Sequence, residues 1–285
     1  MPAKFGPAGN SESFFQKYKS STDAPMYLKE MGLDSYEYQC GRGVKVTDKT
    51  AQTLLENAKK CGISLSLHAP YFISLSSVEA DKRDNSINYI LQSCDAAKRI
   101  GAQRIVIHSG SCAKISRQEA LKLAEDTILR ARQTAIENGF ENIVFCIETM
   151  GKVNQLGTLD EVLKLCSLDD SFLPCVDFGH LNARDFGAIK GKEEYEDILN
   201  RIENKLGADR LKIFHSHFSK IMYTVPGGEK KHLTFDDAQG FGPDYEPLME
   251  LVYKKNLSPV FICESAGTQA EDALKMKQCY LSYVN

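Results

Sequence analysis

No apolar run in this 285-residue sequence exceeds a few residues, so no segment is long enough to span a bilayer. The opening MPAKFGPAGN lacks the apolar stretch of a secretory signal, and a cytoplasmic location is expected. C-x-x-C is missing: the nine cysteines, at 40, 61, 94, 112, 146, 166, 175, 263 and 279, are never so spaced, which excludes a zinc ribbon or a thioredoxin-type motif. An odd number scattered through apolar segments reads as buried, reduced thiols. No G-x-G-x-x-G follows the first strand-like run, which argues against dinucleotide binding. Positive charge is not in surplus either. Lys and Arg total 35 against 38 acidic residues, a formal net charge of −3 and a pI of about 6.1. A broad basic surface for nucleic acid would need far more, although bound metal ions supply positive charge that side chains do not. With 42% hydrophobic residues, no low-complexity stretch and no linker, one globular domain spanning 1–285 is expected.

What is present is an alternation of short apolar runs with longer amphipathic ones. The runs Ile63–His68, Arg104–His108, Asn142–Glu148, Leu173–Asp177, Leu211–His217 and Pro259–Glu264 have the near-continuous hydrophobicity of parallel strands covered on both faces. Weaker strand candidates lie near Ala3–Phe5 and Asp34–Cys40. Helical spacing fills the gaps at Asp48–Lys60, Asn85–Ile100, Arg117–Asn138, Leu159–Leu165, Glu193–Leu206, Pro247–Lys255 and Ala270–Tyr283. Gly62, Gly101 and Gly139 each stand where a helix should stop before a strand. Eight strands, each followed by a helix, predict an α/β fold of the closed (β/α)₈ TIM barrel type, with an open doubly wound sheet as the alternative.

Six successive strand-like runs end in a residue able to ligate metal: His68, His108, Glu148, Asp177, His217 and Glu264. A barrel gathers the C-terminal ends of its strands on one face, so these distant residues would form one ring. His180 in DFGH and His232 in GGEKKH lie just beyond strand ends. Five of the six histidines fall in this set. The sixth, His215, precedes His217 by two and shares its face, one layer deeper. One such residue is ordinarily a satisfied polar group or a helix cap; six in consecutive strands argue for chemistry. Imidazole with carboxylate suits zinc, with manganese or iron less decisive, and eight ligands exceed what one tetrahedral ion uses.

The motifs HAPYFISL (68–75), IHSGS (107–111), CIETMG (146–151), CVDFGH (175–180), HSHFSK (215–220) and ICESAG (262–267), in this order and spacing over roughly 200 residues, resemble the strand-end motifs of the endonuclease IV family of abasic-site repair enzymes, within the xylose-isomerase-like TIM barrels. The resemblance implies a zinc held by His68, His108 and Glu148, a second shared through Glu148 with Asp177, His217 and Glu264, and a third held by His180 and His232. It places Tyr71 against distorted DNA. It also has one departure: the family's third zinc takes an Asp two residues before the last histidine, and here that position is Lys230. Glu229 beside it is the candidate replacement, while Lys220, Lys230 and Lys231 are candidate phosphate contacts.

The implied activity is metal-dependent phosphodiester hydrolysis at an abasic nucleotide flipped from duplex DNA, with Glu148 at its centre. The competing expectation is a sugar isomerase or epimerase on the same barrel. Such an enzyme resembles this one in a Glu, Asp, His, Glu set for one ion, which Glu148, Asp177, His217 and Glu264 supply. A silent barrel that only binds metal or nucleic acid is disfavoured, because unpaired buried carboxylates are costly.

Overall fold

The computed structural model describes residues 2–112 and 114–284. Its main sheet is parallel, built from β1 (Lys4–Pro7), β2 (Ser35–Gln39), β3 (Ser64–His68), β4 (Arg104–His108), β5 (Val144–Glu148), β6 (Leu173–Asp177), β7 (His215–Phe218) and, after an antiparallel hairpin of β8 (Lys220–Thr224) and β9 (Gly228–Leu233), β10 (Val260–Cys263). The order β1-β10-β7-β6-β5-β4-β3-β2 comes back on itself. Ala8 bridges Glu37 in parallel, and the Asp34 and Gly9 N–H groups donate to the carbonyls of Phe5 and Glu37, each at 2.9 Å. A Cβ on Gly6 would lie 1.8 Å from the Ser35 carbonyl oxygen, so only glycine lets β1 approach β2 this closely. The (β/α)₈ barrel expected from the strand–helix alternation is therefore closed.

The helices are α1 (Phe14–Lys17), α2 (Ala24–Met31), α3 (Asp48–Cys61), α4 (Ala80–Ile100), α5 (Arg117–Glu137), α6 (Leu159–Cys166), α7 (Phe178–Arg184), α8 (Lys192–Leu206), α9 (Ala208–Lys212), α10 (Glu246–Lys254) and α11 (Gln269–Ser282). Ser116 with Glu119, and Thr158 with Glu161, form capping boxes that start α5 and α6. Gly62, Gly101 and Gly139 take φ of 72°, 82° and 76°, which ends the preceding helices.

Alternation along the strands divides the apolar residues between two cores. Ile105, Ile107, Phe145, Ile147 and Val176 join the large core shared with the helices. Val106, Cys146, Leu173 and Cys175 pack together as a separate, small cluster. Val106, Cys146 and Cys175 stand two residues before His108, Glu148 and Asp177, so this part of the polar ring sits above an apolar cluster, whereas Ser66 and His215, two residues before His68 and His217, are buried and polar. All nine cysteines are free thiols, and burial holds the Cys175 thiol well above its ordinary pKa.

The run Leu211–His217 is not one strand. Leu211 and Lys212 belong to α9, and β7 begins at His215. Ala-Asp-Arg-Leu-Lys favours helix, and pairing with β6 and β10 starts only at His215. The short α7 and the β8–β9 hairpin carry too little periodicity to be read in advance. No helix among the described residues is long and apolar enough to cross a membrane.

Candidate metal centre

His68, His108, Glu148 and Asp177 are the last residues of their strands; His217 lies one residue inside β7, and Glu264 follows β10. Register sets them side by side, with His108 opposite Glu148 and Asp177 opposite His217. Glu148 is central. Its Oε2 lies 3.3 Å from His68 Nε2 and 3.1 Å from His108 Nε2, while Oε1 lies 3.1 Å from His217 Nδ1. His217 Nδ1 is also 3.5 Å from Glu264 Oε1. Ligands about 2.0–2.1 Å from a tetrahedral zinc stand roughly 3.3 Å from one another, so each separation has the length of one edge of a coordination shell. The sets that close on a common centre here are His68, Glu148 and His217, and Glu148, Asp177, His217 and Glu264. His108 meets Glu148 but joins neither set, unlike the expected His68, His108 and Glu148 site.

The rings are oriented for ligation. His68 Nδ1 lies 2.7 Å from the Ala69 carbonyl and His180 Nδ1 lies 3.0 Å from the Thr149 carbonyl. A carbonyl only accepts, so both Nδ1 atoms donate, and each Nε2 is left with a lone pair facing the cluster. His232 is held through Nδ1, 2.9 Å from Ser219 Oγ, a hydroxyl able to donate or accept. Asp177 splits its carboxylate: Oδ1 accepts from the His180 N–H at 2.7 Å and caps α7, while Oδ2 faces the cluster. Asp177 Oδ2 and Glu148 Oε2 are buried with no hydrogen-bond donor. Orphaned carboxylate oxygens among imidazole lone pairs fit a divalent cation, which is the group that offsets their desolvation.

The electrostatics agree. Burial works against the charged form of Glu148, yet His217 and His108 hold its pKa well below the ordinary value. Burial instead raises Asp177, despite His180 beside it. His68, opposed by burial, is pushed up to about 9 by the Glu148 carboxylate foremost. A site this rich in negative charge takes up protons when it holds no other cation.

A third cluster joins His180, Glu229 and His232. Glu229 Oε2 lies 3.4 Å from His180 Nε2, and Oε1 lies 3.8 Å from His232 Nε2. The hairpin explains how Glu229, three residues before His232, comes to lie beside it. Met222 pairs with Lys231 and Tyr223 with Glu229, which leaves Lys230 as the extra residue of a β-bulge. The bulge shifts the side-chain alternation by one, so Glu229 and His232 share a face and Lys230 is exposed. Opposite them, Gly151 leaves room: a Cβ there would stand 2.7 Å from Glu229 Cβ and 2.9 Å from His180 Cδ2. Arg184 pins this loop by donating to the carbonyls of Met150, Lys152 and Gln155 at 2.7–2.8 Å.

Of the remaining candidates, Tyr71 is 58% exposed on the loop after β3. The Lys220 ammonium is paired with Asp244 at 3.1 Å. Sequence reasoning missed Glu37, which is fully buried on β2 beside His215 and His217. Its signal was weak: one carboxylate inside SYEYQ, in a run with little hydrophobic character and no strand-end position.

A closed parallel barrel carries its active site at the C-terminal mouth, and here that mouth gathers imidazoles and carboxylates in clusters that could hold a metal. The family is set by comparison with known proteins: residues 26–279 match the model of the xylose isomerase-like TIM barrel, and the chain belongs to that family. An uncharacterized protein of Methanocaldococcus jannaschii is 32% identical over 97% of this chain and 96% of its own length. A probable endonuclease 4 of Oceanobacillus iheyensis is 23% identical over 84% of this chain and 79% of its own length. Among solved structures, a D-tagatose 3-epimerase-like protein superposes with a TM-score of 0.70 at 18% identity, covering 99% of this chain and 97% of that one. Endonuclease IV of Thermus thermophilus superposes with a TM-score of 0.66 at 15% identity, covering 99% of this chain and 98% of that one. These two likenesses speak to the fold.

Proposed function

We propose that the protein is a divalent-metal-dependent phosphodiester hydrolase that acts at abasic sites in DNA, with zinc the expected ion and manganese the alternative. The observation that carries this reading is the number of clusters. An isomerase or epimerase is served by one ion on Glu148, Asp177, His217 and Glu264, which lie together here. His68 and His108 on the other oxygen of Glu148, and the set His180, Glu229 and His232, have no use in that scheme. Divalent ions in neighbouring clusters supply positive charge to the attacking and leaving oxygens of a phosphodiester. Glu148 divides its two oxygens between neighbours and so fixes the spacing of the two central clusters. Burial of Glu148 and Asp177 requires a nucleotide that leaves the duplex to reach them. In this reading exposed Tyr71 packs against the distorted strand, and Glu229 joins His180 and His232 while Lys230 is turned outward.

The second reading, a sugar isomerase or epimerase, is favoured by the completeness of the Glu148, Asp177, His217, Glu264 set. Metal counting separates the two: more than one ion per chain supports the hydrolase. Glu148→Gln removes the shared negative charge and is expected to abolish cleavage of an abasic-site duplex while the circular dichroism spectrum is kept. Cleavage at the parent rate would rule out the mechanism.

A further inference from the structure

We infer that Glu37 is a positioning residue for the metal centre: its carboxylate, from a strand that carries no ligand, holds His217 with Nδ1 toward the metal clusters. The inference rests on His217 being a ligand, as proposed above.

Glu37 has no exposure to solvent. Its Oε2 accepts from Ser66 Oγ at 2.8 Å and faces His215 Nε2 at 3.0 Å. Its Oε1 lies 2.9 Å from His217 Nε2, with the Gln39 amide farther off at 3.4 Å. Both ring nitrogens of His217 face carboxylates, Nε2 that of Glu37 and Nδ1 those of Glu148 at 3.1 Å and Glu264 at 3.5 Å, so the ion decides the tautomer. A cation held between Nδ1 and these oxygens would take the Nδ1 lone pair and leave the proton on Nε2, toward Glu37. His217 is thus presented the opposite way round from His68 and His180, whose Nδ1 atoms are tied to backbone carbonyls and whose Nε2 atoms face the clusters. Those two need no side chain for their orientation. His217 does, because its outward nitrogen points into the barrel interior, where Glu37 stands.

Ser66 and His215 hold the carboxylate in turn, and β2 is itself fixed at the closing seam, where the Glu37 carbonyl accepts from Gly9. The direction of support is therefore from seam to Glu37 to His217 to metal. Carboxylates placed behind a ligating histidine raise its basicity and lock its ring, and their loss typically weakens metal binding by about 10–100-fold.

The test is competition between the full-length protein and a chromophoric zinc chelator. Glu37→Gln keeps the side-chain size and is expected to weaken the most affected ion about 10–100-fold, with the unfolding midpoint of the chelator-stripped protein nearly unchanged. In a His217→Ala background the same substitution should have no further effect on zinc affinity. An equal loss in both backgrounds would show that Glu37 does not act through His217 and would overturn the inference. Unchanged affinity in Glu37→Gln would overturn it as well. Should Glu37→Gln fail to fold, Ser66→Ala removes one support of the carboxylate; a several-fold loss upholds the inference and an unchanged affinity sinks it. A parent protein that binds no zinc would instead remove the reading of the site on which the inference stands.

Discussion

Gly151→Ala tests the third cluster with a single methyl group. Gly151 does not have the positive φ that would strain an alanine, so the effect is steric alone. The new Cβ would lie 2.7 Å from Glu229 Cβ, and 2.9 Å from both Glu229 Oε2 and His180 Cδ2. Carbon atoms in favourable contact are about 3.5–4.0 Å apart, so Glu229, His180 or the hairpin must retreat by roughly 1 Å. The present 3.4 Å between Glu229 Oε2 and His180 Nε2 is about one edge of a zinc coordination shell; an added ångström exceeds it. Overpacking of this kind costs about 1–3 kcal/mol. Drawn from ion binding, that is roughly a 5- to 150-fold loss of affinity. The assay is metal counting after dialysis against graded chelator, with the exposed neighbour change Lys152→Ala as control. One ion should be lost from Gly151→Ala and none from the control. A Gly151→Ala protein that retains every ion with parent affinity would show that His180, Glu229 and His232 do not share a metal.

Glu229→Ala should likewise cost one ion and most of the cleavage rate, whereas Lys230→Ala should be mild, since Lys230 points to solvent; full metal content in Glu229→Ala would refute this assignment. Stability of the chelator-stripped protein should peak near pH 6.5. Burial opposes the charged form of His68, but the Glu148 carboxylate outweighs it and raises the group to about 9. Its protonated form therefore stabilises the fold below the unfolded value of roughly 6.5, and this is lost as pH rises through 9. Burial lowers His215 to about 4, so its contribution is present above roughly 6.5 and lost as pH falls through 4. Unfolding midpoints measured from pH 4 to 9 with chelator present should fall on both sides, and a profile flat above 6.5 would contradict the role given to His68.

The barrel was legible because its strands are buried on both faces and read as dense apolar runs, five of them ending in a residue that the structure also places at the strand end or one beyond. His68, His108, Glu148, Asp177 and Glu264 could be read off in this way. The Leu211–His217 run misled because Leu211 and Ile213 mimic strand hydrophobicity while Ala208–Lys212 closes as a helical turn. The third cluster was harder: a bulge changes which residues share a face without changing composition, so Glu229 could be named only as the neighbour of an unexpected Lys230. Glu37 was invisible for a different reason. It does not sit at a strand end, and its partners His215 and His217 are 178 and 180 positions away in the chain, a contact that periodicity does not encode.

Closure of the barrel between β1 and β2 passes through the Glu37 backbone, while the Glu37 side chain reaches across the interior to His217 on β7. In an open sheet with the same strand order, β2 is an edge and β7 lies far from it. A nascent N-terminal fragment lacks His217 and Glu264 altogether. Neither state offers the full donor set with His217 correctly turned. Tight zinc uptake during refolding would then report arrival of the last long-range contacts rather than early collapse. Followed alongside a backbone signal, it would time the moment at which segments separated by most of the sequence come together.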